Sequence, residues 1–210
     1  MNTRLRKARM LWTQLLTIVI ASLSSLQVAA SDELALGRAQ APVTIIEYGS
    51  LTCDYCIYFH REVLPLIQSR HIDNGQVRFI YRDFPTSVAA RRGAVATHCA
   101  GDQYYRMLDA LYSAVGTWVR ADDVDAALTQ QAVLLGMNEK RFRACLDDPR
   151  QSQAIAEGQQ RAKTEFDVLG TPTFLINGKI VRGKKTIEEM EALVKEALPD
   201  PPQPGSDQTK

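Results

Sequence analysis

The strongest constraint on the fold is an apolar strand that leads directly into a cysteine-bearing helix. Residues 43–48 (VTIIEY) are apolar and rich in β-branched side chains, which is typical of a strand covered on both faces in an α/β sheet. A Cys-x-x-Cys motif follows at residues 53–56, and apolar residues then recur at helical spacing, with Pro65 expected to kink the helix. The two cysteines are therefore predicted to lie at a strand-to-helix turn.

The remaining patterns predict the order of the other elements. Residues 76–82 (QVRFIYR) alternate as a second strand, and Asn177-Gly178, the strongest two-residue hairpin signal, separates two further short strands. Thr186 and Glu189 form a capping box for a last helix. Between the second strand and the hairpin the patterns are only helical, over residues 89–99, 104–112, 124–135, a segment between Asn138 and Pro149, and 155–166. The fold class predicted is α/β, with a helical insertion at about residues 87–168 between a βαβ half and a ββα half.

The first 30 residues have the layout of a secretory signal peptide. A basic segment at residues 1–9 precedes an apolar stretch at residues 11–26, and Val28-Ala29-Ala30 offers small residues before a cleavage site. An uncleaved membrane anchor is the alternative. Cleavage would leave a chain that works in an oxidising compartment, where disulfides persist. The Pro-rich polar residues 199–210 are predicted to be a disordered tail.

Composition argues against disorder of the whole chain and against a nucleic-acid partner. Hydrophobic residues make up 45% and charged residues 23% of the sequence, which is ordinary for a chain that buries a core. The formal net charge of +1 includes four basic residues and no acidic residue in the first 30 positions. The remainder, with 21 basic and 24 acidic side chains, is mildly acidic. Nucleic acid is therefore not expected as a partner.

The cysteine pair at the start of the helix can carry redox chemistry. The unpaired N–H groups and the positive end of the helix dipole favour a thiolate there. Cys53, at the rim of the helix, is the expected nucleophile, and Cys56, one turn inside, is the expected resolving thiol. A static bridge remains an alternative. A zinc site is disfavoured because the nearest further candidate ligands, His98 and Cys99, lie some 40 residues away within a helix.

Two other features could serve this pair. Glu47 lies six residues before Cys53 inside an apolar strand. Burial there would disfavour the charged carboxyl, so that Glu47 could accept or give a proton as Cys56 reacts, unless it is a surface residue on an edge strand. Thr171-Pro172 precedes a strand, and a cis peptide bond would let the Thr171 backbone pair with an extended substrate, although a trans bond is the default from spacing alone.

Taken together, these motifs resemble the DsbA-like thiol:disulfide oxidoreductases of the thioredoxin superfamily, over residues 35–198. The resemblance implies a thioredoxin fold with a helical insertion, a cis-Pro172 loop beside Cys53 and Cys56, and Glu47 as a buried acid. It implies an exported, periplasmic protein that introduces disulfides into reduced or unfolded exported proteins. Its redox partner would be a quinone-linked membrane reoxidase or a reductase. No metal and no cofactor is expected, and nothing in the sequence argues for more than a monomer.

The sequence departs from the strongest oxidants of this family in two places. Asp54-Tyr55 stands where those oxidants carry Pro-His, and a carboxylate beside Cys53 should disfavour its thiolate, although an acid in a first helical turn is itself favourable. Thr171 is closer to what the family's isomerases carry. An oxidase is favoured, with an isomerase or reductase, or a non-catalytic envelope protein, as alternatives. Tyr55 is expected to help shape the substrate surface.

The other two cysteines, Cys99 and Cys145, both fall on apolar helix faces of the insertion. Leftover cysteines of an exported protein more often pair than stay free, and the resemblance implies a structural disulfide between these two. Two buried free thiols or a second redox relay are the alternatives. His60 and His98 are interpreted as exposed helix residues, and the paired basic residues at 91–92 as a solvated face.

Overall fold

The computed structural model describes residues 33–199, which form a four-stranded sheet surrounded by helices. The strands are β1 (Val43–Gly49), β2 (Val77–Asp83), β3 (Thr173–Ile176) and β4 (Lys179–Arg182), in the order β2-β1-β3-β4. Strand β1 is parallel to β2 and antiparallel to β3, and β3 is antiparallel to β4. The predicted α/β class is confirmed. The predicted signal peptide and the tail from residue 200 onward lie outside the described residues.

Strand β1 is central because its apolar side chains can be covered on both faces of the sheet. Val43 and Ile45 are fully buried, and every residue from Glu47 to Gly49 is buried as well. Such burial on both faces is typical of a strand in the interior of an α/β sheet. The register sets Glu47 between Tyr81 of β2 and Phe174 of β3. The carboxyl-bearing residue thus lies in the middle of the sheet.

The helical segment after β1 alternates between α-helical and π-helical turns. Helix α1 (Asp54–Tyr58) continues into a π-helical turn (Phe59–Val63), α2 (Leu64–Ile67) and a second π-helical turn (Gln68–Ile72). In the first π-helical turn the Leu64 N–H donates to the Phe59 carbonyl, five residues back. The wider turn lies next to Pro65, which has no N–H to donate. The irregularity predicted at this proline is therefore a change of helix type.

The insertion contains six α-helices. They are α3 (Val88–Cys99), α4 (Tyr104–Ser113), α5 (Val115–Trp118), α6 (Val124–Leu134), α7 (Glu139–Leu146) and α8 (Pro149–Phe166), with a 3₁₀ turn at Gly101–Gln103. The one-turn α5 was not predicted, because a single turn has no helical periodicity to detect. Its Trp118 is fully buried and donates its indole N–H to the Leu111 carbonyl at 2.8 Å.

Arg92 shows that the basic pair in α3 is not simply a solvated face. Its guanidinium bonds both carboxylate oxygens of Asp125, at 2.7 and 2.6 Å, and donates to the Leu146 carbonyl at 2.9 Å. The interpretation of residues 91–92 as a solvated face is therefore wrong for Arg92. A planar guanidinium can join three helices in this way because it carries five donors in a fixed fork.

The predicted hairpin and last helix are confirmed. Asn177 and Gly178 have φ values of 47° and 84°, the two positive φ values that a two-residue hairpin turn requires. The Asn177 side chain also accepts the Thr44 N–H at 2.8 Å, which ties the turn to β1. Helix α9 (Ile187–Ala197) is capped by Thr186, and Glu189 completes the predicted capping box.

The apolar core continues from the sheet into the insertion. Phe59, Phe79 and Phe174 pack together on the sheet, and Trp118 and Leu128 belong to the same buried cluster. Within residues 33–199, no helix combines the length and the apolar character needed to cross a membrane.

Candidate active site

Cys53 caps the N-terminus of α1. Its backbone is extended, with φ −88° and ψ 122°, and its N–H donates to the Ser50 carbonyl at 3.0 Å, which closes the turn after β1. The sulfur therefore lies where the first backbone N–H groups of the helix point. The side chain is partly exposed, so the sulfur is accessible from solvent.

The surroundings lower the pKa of Cys53 from 9.0 to about 5. The largest cause is a hydrogen bond from the Cys56 side chain. Burial opposes it, and the Thr171 side chain and the backbone N–H groups of Cys56 and Tyr55 lower the pKa further. Asp54 is not among the largest causes of this shift, and its side chain is exposed to solvent, which screens its charge.

Cys56 has the opposite environment. It is fully buried, and burial raises its pKa well above the ordinary value. Its hydrogen bond to Cys53 and the charges of Glu47 and Cys53 raise the pKa further. At neutral pH the pair therefore holds one proton, on the inner sulfur, and one negative charge, on the outer sulfur. Both cysteines are free thiols in this structure.

The loop before β3 lies against the outer sulfur. The Thr171–Pro172 peptide bond is cis, and the Cys53 Sγ contacts the Thr171 carbonyl oxygen at 3.4 Å. Pro172 is buried, whereas Thr171 is partly exposed beside the sulfur. The Thr173 hydroxyl donates to the Gly170 carbonyl at 2.7 Å, and this bond fixes the loop at the start of the strand. Sequence spacing alone predicts a trans bond here, whereas the family resemblance predicts the cis bond that the structure has.

Glu47 is buried inside the sheet beneath the cysteines and is paired with His60. Glu47 is 0% exposed, His60 is 4% exposed, and Glu47 Oε2 lies 2.8 Å from His60 Nε2. The reading of Glu47 as a surface residue on an edge strand is therefore excluded. The interpretation of His60 as an exposed histidine is wrong, because this helix is covered on more than one side. His60 lies four residues after Cys56 on the buried stripe that continues to Val63, and this spacing could have revealed it.

Side chains from β2 and the insertion enclose the pair. The His60 ring stacks on Tyr112 of α4, with centroids 3.9 Å apart, and meets the edge of Tyr81 at 5.4 Å. The two tyrosine hydroxyls are 3.1 Å apart. Gly49 leaves room for this arrangement, because a Cβ there would lie 2.4 Å from the Tyr81 ring and 3.0 Å from Glu47 Oε1.

Two large apolar side chains that were not singled out in the sequence lie in segments beside the cysteine turn. Val88 is 83% exposed and follows Ser87, whose hydroxyl is 3.0 Å from that of Thr52, next to Cys53. Leu169 is 75% exposed and lies two residues before Thr171. Tyr55, the residue expected to shape this surface, is also exposed. Isolated exposed apolar residues have no sequence signal of their own, so only the fold could identify these two.

The second cysteine pair lies away from this site, within the insertion. Cys99 at the end of α3 and Cys145 in α7 are joined by a disulfide with an S–S distance of 2.00 Å. His98, next to Cys99, is exposed and bonds Asp83 at 2.8 Å, in agreement with its interpretation as a surface residue. Burial lowers the pKa of His98, but the hydrogen bond and charge of Asp83 outweigh it, so that the net shift is upward.

Fold and site together define a class of protein. A central strand ends at a Cys-x-x-Cys turn, the second half of the sheet begins with a cis-proline beside the first sulfur, and a helical insertion separates the halves. This arrangement is the thioredoxin fold in its DsbA-like form.

Comparison with known proteins gives the same result. The family model described as Thioredoxin matches residues 29–196, and the chain therefore belongs to this family. The crystal structure of Wolbachia pipientis alpha-DsbA1 superposes with a TM-score of 0.74 at 26% identity, covering 82% of this chain and 94% of that chain. The chain is a DsbA-like member of the thioredoxin superfamily.

Two curated relatives carry names from disulfide chemistry. An inferred protein-disulfide oxidoreductase of Rickettsia typhi is 22% identical over 172 residues, which are 81% of this chain and 63% of the relative. An inferred disulfide bond formation protein D of Bacillus anthracis is 24% identical over 164 residues, covering 72% of this chain and 73% of the relative. The chain thus spans about 60% of the length of the rickettsial relatives.

Proposed function

We propose that the protein is a thiol:disulfide oxidoreductase that introduces disulfides into exported proteins by exchange through the Cys53–Cys56 pair. The observation that carries this proposal is the asymmetry of the two thiols. Cys53 is partly exposed with a pKa of about 5, whereas Cys56 is buried with a raised pKa. A stable Cys53 thiolate stabilises the reduced form of the pair. A protein whose reduced form is stabilised in this way tends to transfer its disulfide to other thiols. The names of the curated relatives support the same chemistry.

The proposed cycle transfers two electrons from a substrate to the protein. A substrate thiolate attacks Cys53 Sγ of the oxidised pair, the Cys53–Cys56 bond breaks, and Cys56 receives the electron pair and a proton. A second substrate thiolate then attacks the substrate sulfur of the mixed disulfide, and Cys53 leaves as a thiolate. The substrate gains a disulfide and the protein keeps two reduced sulfurs. The low pKa of Cys53 makes it a good leaving group in this last step.

The surface around Cys53 suits an extended, partly unfolded substrate. Thr171 presents a backbone beside the sulfur, and Tyr55, Val88 and Leu169 are exposed apolar side chains in neighbouring segments. Unfolded chains offer the extended backbone and the apolar side chains that such a surface would bind. Reduced exported proteins are therefore the proposed clients, and a quinone-linked membrane protein is the proposed reoxidant.

The proposed location is the periplasm, reached through a cleaved signal peptide at residues 1–30. The domain would then span residues 31–198, followed by the Pro-rich tail at residues 199–210. A fusion of alkaline phosphatase after residue 30 tests export, because that reporter is active only where its disulfides form. An inactive fusion would contradict the proposed compartment. If the fusion is active but remains in the membrane fraction, the segment is an anchor.

The catalytic assignment is tested by reduction of insulin disulfides with dithiothreitol as electron donor. We expect activity that is lost in Cys53→Ser and retained in the matched double variant Cys99→Ser/Cys145→Ser. Full activity in Cys53→Ser would overturn the assignment of the nucleophile. No activity in the wild-type protein would favour a non-catalytic protein with a static bridge.

The direction of electron flow is tested by the reduction potential of the Cys53–Cys56 pair, measured by equilibration with glutathione. An oxidase requires a value of about −120 to −180 mV. A value near −270 mV, roughly that of thioredoxin, would mean that the pair prefers to stay oxidised and must be driven by a reductant. The protein would then be an isomerase or a reductase.

A further inference from the structure

The Glu47–His60 pair is buried and incompletely hydrogen-bonded. Within residues 33–199, three buried side-chain polar atoms have no hydrogen-bond partner, and two of them, Glu47 Oε1 and His60 Nδ1, belong to this pair. A buried ionisable pair is poor evidence for stability. The free energy lost when the two groups leave water exceeds the free energy gained from an incomplete set of hydrogen bonds. Unpaired polar atoms at such a pair point instead to a role in the chemistry next to it.

The packing fixes the position of the histidine. Its ring stacks on Tyr112 with an interplanar angle of 15° and stands at 81° to Tyr81, so that two side chains from different elements constrain the imidazole. An ionised carboxylate only accepts hydrogen bonds, so Nε2 is the donor when Glu47 is charged. The bond occupies Oε2 and leaves Oε1 as the oxygen that can take up a proton.

The titratable groups around the pair come from each neighbouring element. Cys56 lies one turn earlier on the same helical segment, Tyr81 comes from β2, and Tyr112 and Asp109 come from α4. Burial, followed by neighbouring charges that include those of Glu47 and Cys56, raises the pKa of both tyrosines, so that they stay neutral. Burial also raises the pKa of Asp109, although the charge of His60 opposes this shift. Cys56 is the group among these that gains a proton when the Cys53–Cys56 bond breaks in the proposed cycle, and it must lose that proton when the bond is formed again.

We propose that His60 is the positioning residue for Glu47, holding its carboxylate by Oε2 so that Glu47 accepts the proton of Cys56 when this thiol attacks. The inference rests on the proposed function. In the step concerned, Cys53 is joined to glutathione as a mixed disulfide. The Cys56 proton moves to Glu47, the Cys56 thiolate attacks Cys53 Sγ, and the bond between Cys53 and glutathione breaks, so that glutathione leaves as a thiolate.

The test measures this ring closure in the full chain as a function of pH. The Cys53–glutathione mixed disulfide is formed at low pH with oxidised glutathione, the pH is raised to values between 5 and 9, and remaining thiols are trapped by alkylation. His60→Phe keeps a ring against Tyr112 but has no donor for Glu47. His60→Gln keeps a donor. His71→Gln, at a partly buried histidine elsewhere, is the matched control.

We expect His60→Phe to slow ring closure at neutral pH by about ten- to hundredfold, because the lost hydrogen bond holds a charged proton acceptor and such a bond contributes about that factor. The rate should recover at higher pH, where hydroxide can take the proton of Cys56 without Glu47. His60→Gln should retain most of the wild-type rate and profile. The double variant Glu47→Gln/His60→Phe should be no slower than Glu47→Gln alone, since His60 acts through Glu47.

The outcomes separate this inference from the proposed function. If the wild-type protein closes the ring but His60→Phe has the same pH profile, His60 is structural and the inference is wrong. If His60→Gln is as slow as His60→Phe, the donor role is refuted, provided that circular dichroism shows both variants folded. If the wild-type protein forms no mixed disulfide with glutathione at any pH, the proposed function itself fails.

Discussion

The low pKa of Cys53 depends first on the thiol beside it, and this dependence can be measured. Cys56→Ala removes the hydrogen bond that is the largest cause of the shift, but leaves the backbone N–H groups of α1 in place. A hydrogen bond to a charged group contributes about 1.5–3 kcal/mol, and the lower end applies because Cys53 is partly exposed to solvent. That energy is a roughly tenfold change in proton affinity. The titration midpoint should therefore rise from about 5 to about 6 in Cys56→Ala.

The assay is the thiolate absorbance at 240 nm, titrated from pH 3 to 10 in Cys56→Ala and in Cys56→Ser. The serine variant is the matched control, because its hydroxyl can still donate to the Cys53 sulfur, so its midpoint should stay near 5. Equal midpoints in the two variants would refute the role given to the Cys56 side chain and would leave the helix N-terminus as the cause. A wild-type midpoint near the ordinary value of 9.0 would refute the site geometry altogether.

The same shift predicts how the stability of the reduced protein depends on pH. The folded pKa of Cys53 lies below its ordinary value, so the thiolate stabilises the folded state most above pH 9.0, and this contribution is lost as the pH falls through about 5. The oxidised protein lacks this contribution because a disulfide sulfur does not titrate. The unfolding midpoints of the two forms, measured in urea across this range, should therefore change differently with pH.

Three further predictions concern the scaffold. Cys99→Ala/Cys145→Ala opens a crosslink over 46 residues and should lower the unfolding free energy by about 2–4 kcal/mol in urea melts, without changing the active-site reduction potential. The raised pKa of His98 stabilises the fold fully below 6.5 and loses this effect as the pH rises through the folded value, so His98→Gln should be more destabilising at pH 6 than at pH 9. Gly49→Ala should displace the Tyr81 ring and slow thiol exchange, which insulin reduction would detect.

Elements with a local chemical cause could be predicted from the sequence. The hairpin at Asn177-Gly178 and the capping box at Thr186 follow from turn and capping rules that involve neighbouring residues only. Strand β1 follows from its continuous apolar run. Pro149 shows the limit of such rules, because the proline that bounds the helical segment after Asn138 also begins the next helix, after the Asp148 cap.

Features that depend on tertiary contacts could not be predicted in the same way. His60 belongs to a helical segment that contacts the sheet on one side and α4 on another. A surface helix usually has one polar face toward solvent, and this pattern does not hold here. Arg92 looks like a surface residue until α6 brings Asp125 within 2.6 Å. Val88, at the start of α3, and Leu169, before β3, belong to segments that are far apart in the sequence and that the fold brings beside Cys53.

The helical insertion contributes to the candidate active site and also covers the sheet. Tyr112 of α4 forms one wall of the buried pair, and its hydroxyl contacts that of Tyr81 on β2, so the insertion and the sheet meet at His60. Without the insertion, this side of the histidine would lose the ring that covers it. Water would then reach Glu47 and weaken its electrostatic influence on Cys56. By shielding Glu47, the insertion therefore adds to the raised pKa of Cys56, whose largest cause is burial.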